Sequence, residues 1–492
     1  MFSPSYFREL YQPNYCERRV WLNANCPELA VKDVDFIEMV QEKGLDVERA
    51  HVQTIGPTQE PEYEKGDLPS GFEDTLRLIK SKTPIIYQGV LISSDGQFGA
   101  IPDLIIFDQK TNQYKIQEIK LATNIGSHPE IALGVGLSKF VAEEVLGYPI
   151  IAEIVTGDGN IISPFDVPDK SYVVSVAKNI IELEALDNEP IEPEGWSKCK
   201  DCQYGDYCYG KAWENRSICT ISGIEKGMVG ALWENGVDNW DQIIELDDKL
   251  FGIQFQRGSQ IQKIGPTRGG KILRQTKCLV EGSFDKKANI ILPAGYQKGD
   301  RPVVIFDIEN TVFDEVEFDI DVYMWGLITI LPEGTNEQST VIAPPGDRGD
   351  AEGWVQFLET MDRIFKKYGD IPVIHFSSHE VTKINNYIAM YGDKDNIGER
   401  VKNNMWDLYR CVLDTVILPV PSYGLKQIEK FVGFKRSQEE YGGSWSIVKY
   451  NEYVEAPDTE TAENILNEIK TYNAEDLLAT YAVYEWLEEN IC

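Results

Sequence analysis

Asp103, Glu118 and Lys120 stand in the stretch AIPDLIIFDQKTNQYKIQEIK, residues 100–120. Two apolar runs, 104–107 and 114–119, flank DQKTNQ, whose residues favour a turn, so the spacing predicts a β-hairpin opened by one acid and closed by an acid and a lysine. Acids at the ends of adjacent strands can meet at one point, where a divalent cation relieves their repulsion. Lys120 follows Glu118 by two residues and so projects from the same strand face. There it would orient or activate a water beside the metal and offset charge on a scissile phosphate. Taken alone, Glu-x-Lys suits a solvated surface hairpin as well.

Three of the nine cysteines are spaced as ligands. CKDCQYGDYC puts Cys199, Cys202 and Cys208 within ten residues, and a Cys-x-x-Cys pair lets two thiolates reach one metal centre from a tight turn. Cys16, in YCERRVWL, is the best fourth ligand, with Cys26 as the alternative; Cys219, Cys278, Cys411 and Cys492 read as ordinary small residues. Zinc competes with an iron-sulfur cluster for this set.

Pro102-Asp103, then fourteen residues, then Glu118-Ile119-Lys120 resembles the PD-(D/E)xK nuclease core. With YCERRVWL before it and CKDCQYGDYC after it, residues 1–210 resemble the RecB-like exonucleases that carry an iron-sulfur cluster, including CRISPR-associated ones. The resemblance implies Asp103 and Glu118 as ligands of Mg²⁺ or Mn²⁺, Lys120 as the catalytic lysine, and Cys16, Cys199, Cys202 and Cys208 as ligands of a 4Fe-4S cluster. It also implies a helix before the core that contributes His or Glu. EKGLDVERAHV supplies His51 as that metal ligand, with Glu48 as the alternative. Many RecB-like nucleases carry Gln-x-x-x-Tyr on the helix after the core, and HPEIALGVGLSKFVAEEVLGYP lacks it.

A second constellation lies downstream. PVVIFDIENT is an apolar strand ending in Asp307 and Glu309 on one face, and IKTYNAEDLLATYAVYEWL is a helix carrying Tyr472 and Asp476 at i, i+4. Together they resemble the RNase H-like 3'-5' exonucleases of the DEDD class with tyrosine. These hold two divalent ions about 3.5–4 Å apart, one activating a water and the other stabilising the leaving oxygen. The resemblance implies Asp307, Glu309 and Asp476 as metal ligands and Tyr472 as the residue that orients the attacking water. For the fourth acid, VIHFSSHEVTKINNYIAMYG offers Glu380, preceded by His375 and His379, with Asp407 in MWDLYRCV as the alternative. SYGLKQIEKFVGF, residues 422–434, fits the helical segment between the second and third motifs.

Elements must bring these residues together, and composition bounds how. A length of 492 residues exceeds one ordinary core and favours roughly two to four domains. A hydrophobic content of 42% marks a folded chain rather than a disordered one. No window approaches the roughly 18 apolar residues of a membrane span, and MFSPSYFRELYQPNYC lacks a signal-peptide pattern, so a cytoplasmic protein with reduced cysteines is expected.

The net charge of −33 argues against non-specific attraction to a polyanion, so any nucleic-acid site must be local. QRGSQIQKIGPTRGGKILRQTK, residues 256–277, carries Arg257, Lys263, Arg268, Lys271, Arg274 and Lys277 without an acid; it reads either as a nucleic-acid contact or as a solvated loop and strand face. Just before it, ISGIEKGMVGALWENGVDNWDQIIEL runs helix, Gly-containing turn, helix and resembles a helix-hairpin-helix module, whose backbone amides contact DNA phosphates without reading sequence.

The expected architecture is multi-domain α/β. It has a restriction-endonuclease-like PD-(D/E)xK core over 1–215, a helical module and basic connector over 216–295, and an RNase H-like mixed-sheet domain over 296–492. This order resembles RecB-family nucleases with a C-terminal RNase H-like domain. The expected function is a metal-dependent DNA nuclease, an exonuclease, with DNA or RNA as substrate. A helicase or a defence or repair protein is the expected partner, because no P-loop is present. The alternative is a nucleic-acid-binding or partner-docking protein with decayed sites.

Overall fold

The computed structural model describes residues 1–31, 34–195, 199, 201–290, 301–311, 320–346, 348–437 and 442–491. It is a mixed α/β structure. The expected boundary at 295/296 lies outside the described residues. By their contacts, the described residues form two units. One holds Met1–Glu192 with 201–207; the other holds 193–195, 199 and everything described from Cys208 onward, so the helical module and the C-terminal domain share a unit.

The first unit is built on a five-stranded sheet. Its order is Ile85–Tyr87, Leu104–Asp108, Gln113–Ile119, Ala152–Val155, Ile161–Ile162. The predicted hairpin is its centre: Leu104–Asp108 and Gln113–Ile119 pair antiparallel, with Leu104 opposite Gln117. Gln113–Ile119 then pairs parallel with Ala152–Val155. A parallel pair needs a crossover, and helix Pro129–Leu146 supplies it, ending at Gly147 in the left-handed conformation with φ 77°.

Both faces of this sheet are covered, and strand alternation sorts the hairpin's residues between them. Ile105, Tyr114 and Ile116 pack into the main core with Leu133, Leu137 and Val141 of the crossover helix. Leu104, Ile106 and Ile119 face the other way, against Val47, Val52 and Ile55 of helix Val34–Ile55.

In the second unit, helices Lys226–Glu234 and Trp240–Leu246 flank a turn at Gly236, φ 74°. Asn239 and Gln242 form a capping box that starts the second of these helices. The basic segment that follows is not one extended face. It forms the hairpin Gln254–Arg257 with Gln260–Lys263 and then the 16-residue helix Pro266–Glu281, because Pro266 is preset for a first helical position and a polar–apolar repeat follows it.

The C-terminal sheet has the order Asn336–Gln338, Val322–Ile330, Val303–Asn310, Val373–His375, Met405–Asp407. The first three strands are antiparallel, and the last two run parallel to Val303–Asn310 and to each other. Alternation again decides the layers. Val304, Phe306 and Ile308 pack on Trp354, Phe357 and Met361 of helix Gly349–Tyr368. Val303 and Ile305 pack against Leu477, Tyr484 and Leu487 of the C-terminal helix Thr459–Ile491. Asp307 and Glu309, of the same parity as Ile305, therefore face the C-terminal helix.

Candidate functional site

In the first unit, Asp103, Glu118 and Lys120 line one cavity of about 590 Å³. Lys120 Nζ donates to Glu118 Oε2 at 2.8 Å and lies 3.6 Å from Asp103 Oδ2. The Ile119 N–H donates to Asp103 Oδ2 at 2.6 Å, so the two hairpin strands lock the first acid against the second. Ser138 Oγ, on the crossover helix, donates to Glu118 Oε1 at 2.9 Å.

Burial pushes the Asp103 carboxyl up to about 7; Lys120 pulls it down, and Glu118 and Glu48 add to the rise. Burial alone would lower the Lys120 ammonium, but the charges of Glu118 and Asp103 more than offset it and hold the group above its ordinary value.

His51 sits on the other side of the sheet, its Nε2 2.8 Å from Gln117 Oε1. Gln117 and Glu118 are neighbours in a strand and point to opposite faces, which is why a helix on the far face meets Gln117. Glu48, one turn earlier on that helix, accepts from Gln88 Nε2 at 3.1 Å and acts through its charge on Asp103. The same cavity holds a group the sequence reading missed. Gln12 Nε2 donates to Glu130 Oε1 at 2.8 Å and lies 3.1 Å from His128 Nδ1, and the buried Glu130 Oε2 has no hydrogen-bond partner among the described residues.

Of the cysteines, Cys16 and Cys202 belong to the first unit, and Cys199 and Cys208 to the second. Cys16 immediately precedes helix Glu17–Asn25; burial raises its thiol, Arg19 opposes that rise, and Cys202 adds to it. Cys26 closes the same helix.

In the second unit, one oxygen from each of Asp307, Glu309 and Asp476 lies within 4.8 Å of the others. Two strand residues and one residue of the C-terminal helix thus meet at a single point. Asn473, one turn before Asp476's position on the same face, donates from Nδ2 to Asp307 Oδ2 at 2.9 Å and to Glu309 Oε1 at 3.2 Å. Ser446 Oγ donates to Glu309 Oε2 at 3.0 Å. Opposite Asp307 in the sheet stands Gly326, where a Cβ would lie 1.8 Å from Asn473 Oδ1. Only glycine lets the helix come this close.

Burial, then the charges of Glu309, Asp476 and Glu380, push the Asp307 carboxyl well above its usual range. Burial and Asp476 push Glu309 up to about 8, against the hydrogen bonds of Asn473 and Ser446. Burial also raises Asp476, while Arg436, 2.5 Å from its Oδ1, opposes the rise. One buried and two half-buried carboxylates that repel one another are the donor set a hard divalent cation accepts, so the residues fit such an ion.

Tyr472 is buried near them, its phenol raised by burial and by Asp476, Glu309 and Asp307, and its ring lies 5.5 Å from Trp445. Glu380 is buried, accepts from Ser377 Oγ at 3.1 Å and lies 3.4 Å from His375 Nδ1. It reaches Asp307 through its charge and is not one of the three acids that meet. Asp407 caps helix Leu408–Thr415 by accepting from the Arg410 N–H at 2.9 Å.

Residues 304–488 match the family model of the RNase_H superfamily. The match encloses every residue of this second cluster and supports an RNase H-like nuclease domain here, with a nucleic acid as its class of substrate. No curated protein matches the chain significantly. Among the described residues no helix is long and apolar enough to cross a membrane.

Sequence reasoning missed Asn473, Ser446, Arg436 and Gly326. Asn473 carried a usable signal, since it adjoins Tyr472 and stands three residues before Asp476 on a helix. The others come from separate elements, and no local spacing ties them to the acids.

Proposed function

We propose that the chain is a metal-dependent DNA nuclease, an exonuclease that hydrolyses phosphodiester bonds, with an RNase H-like 3'-5' site around Asp307 and a PD-(D/E)xK site around Asp103. The observation that carries the first part is the meeting of Asp307, Glu309 and Asp476 within 4.8 Å, inside the matched segment. Mg²⁺ or Mn²⁺ held there would supply charge stabilisation for the displaced oxygen and a more acidic water. Asn473 and Ser446 hold the strand carboxylates in place, Arg436 fixes Asp476, and Tyr472 stands one helical turn from Asp476 to orient the incoming water.

The PD-(D/E)xK reading of the first unit is supported by the convergence of Asp103, Glu118 and Lys120 in one cavity. Asp103 and Glu118 would hold the cation, with Glu48 as the further ligand in place of His51, which bonds Gln117 on the opposite face, and the Lys120 ammonium would neutralise charge on the scissile phosphate. The spacing of Cys199, Cys202 and Cys208 supports a 4Fe-4S cluster completed by Cys16. Of the six cations of 256–277, Arg257, Arg268 and Lys271, which line one cavity, supply the nucleic-acid contact.

The test is cleavage of end-labelled single- and double-stranded DNA and RNA by anaerobically purified protein, with Mn²⁺ or Mg²⁺ against EDTA, beside Lys120→Ala and Asp307→Ala. Loss with one variant alone assigns the chemistry to that site. No cutting by the wild type would overturn the nuclease reading and leave a binding protein. A brown preparation distinguishes iron-sulfur from colourless zinc.

A further inference from the structure

Within the second unit, the hairpin strand Gln254–Arg257, helix Pro266–Glu281 and helix Leu408–Thr415 line a cavity of about 630 Å³. Its lining carries five cations, Arg257, Arg268, Lys271, Lys287 and Arg410, against two carboxylates, Glu225 and Asp414. That is an excess of three positive charges in a chain whose net charge is −33.

Arg410 pairs with Asp414 at 3.0 Å, and Lys287 donates to the Leu413 carbonyl. Arg257, Arg268 and Lys271 have no carboxylate partner among the described residues, and the Arg268 guanidinium lies 5.5 Å over the Phe255 ring. Like charges held together without counter-charges repel, and an anion relieves that cost. The Lys287 ammonium registers the repulsion: burial lowers it first, and Lys271 lowers it further.

The remaining lining is largely apolar, from Met228, Phe255, Ile272 and Tyr423. The wall is also fixed in advance. Gln275, buried, donates from Nε2 to the Leu418 carbonyl at 2.7 Å and accepts from the Tyr423 hydroxyl at 2.9 Å. A preformed cavity of this size, apolar within and cationic around, matches a ligand that joins a flat ring to a phosphate.

We propose that this cavity binds one phosphorylated nucleotide, either free or as the end residue of a strand. The strand-end form rests on the reading of 256–277 as a nucleic-acid contact; the free-nucleotide form does not. A groove that merely follows a phosphate backbone would draw on all six cations of the segment. The cavity divides them, with Arg257, Arg268 and Lys271 in its lining and Lys263, Arg274 and Lys277 outside it.

The experiment measures binding to the full-length protein in EDTA, where cutting is blocked, with dAMP and a 5'-phosphorylated oligonucleotide as probes. Two double variants with wild-type melting temperatures are compared, Arg257→Ala/Lys271→Ala in the cavity and Arg274→Ala/Lys277→Ala outside it. The cavity variant is expected to bind at least about tenfold more weakly, the loss of one charge-assisted contact, and the outer variant less than about twofold. Selective loss for dAMP alone assigns a free nucleotide; selective loss for the oligonucleotide assigns a strand end. Equal losses in both variants, or neither probe bound by the wild type, would overturn the proposal. Cleavage is assayed separately with Mn²⁺, so failure of the nuclease reading leaves this outcome legible.

Discussion

The guanidinium of Arg436 lies 2.5 Å from a carboxylate oxygen of Asp476 while gripping Glu429 through two bonds of 2.8 Å. One cation thus ties an acid of the three-carboxylate cluster to a buried acid outside it. Arg436→Gln leaves Glu429, 2% exposed, without its counter-charge, and the expected cost is about 3–5 kcal/mol, read from urea denaturation. Arg436→Lys keeps the charge but loses the fork that fixes Asp476. Its Mn²⁺ requirement for half-maximal cleavage at this site should rise by about tenfold, the usual effect of losing an outer partner of a ligand.

Gly326 faces Asp307 across the sheet, and any Cβ there collides with Asn473. Gly326→Ala should cost about 1–3 kcal/mol by overpacking and push the C-terminal helix off the strand acids. A thermal melt paired with the cleavage assay checks both effects, and wild-type behaviour in each would show that the helix yields without loss.

In EDTA, burial and neighbouring acids raise Glu309 from 4.5 to about 8, and burial chiefly raises Asp103 from 3.8 to about 7. A carboxyl raised in the folded state keeps its proton there while the unfolded chain has lost it. The sign is therefore negative: stability falls as pH rises from about 4 to about 8. Glu309→Gln should flatten the fall. Divalent cations compete with those protons, so Mn²⁺ should raise the melting temperature more at pH 8 than at pH 6. Equal shifts at the two pH values would count against a cation on these carboxylates.

Glu48 and His51 share one helix but meet different partners, Gln88 and Gln117, and Glu48 is the one whose charge acts on Asp103. Glu48→Gln should reduce cleavage at the Asp103 site by about tenfold or more, as expected for a ligand or its outer partner. His51→Gln, which can keep a hydrogen bond near Gln117, should change it less. Metal titrations of both variants decide the order, and a larger effect of His51→Gln would return the ligand role to that residue.

The hairpin around residues 100–120 was legible because its signals are local. Period-two apolar runs and a polar turn dictate the strands, which fall at Leu104–Asp108 and Gln113–Ile119. The same holds for the strand carrying Asp307 and Glu309 and for the helix carrying Tyr472 and Asp476, where alternation and the 3.6-residue repeat put each pair on one face. The basic segment was visible as charge, but its division into a hairpin and a helix was not, since cations satisfy either when solvated.

What the sequence determined by itself is the elements that carry the candidate acids and the face each acid takes, because backbone period and residue type are properties of neighbours along the chain. What only the tertiary structure decided is which faces meet. Gln117 rather than Glu118 receives His51, Asn473 settles between Asp307 and Glu309, and Arg436 reaches Asp476. These contacts span tens to hundreds of residues of chain, and they are set by which side of a sheet each helix covers and by the one glycine that permits the closest approach. Neither is written in any local spacing.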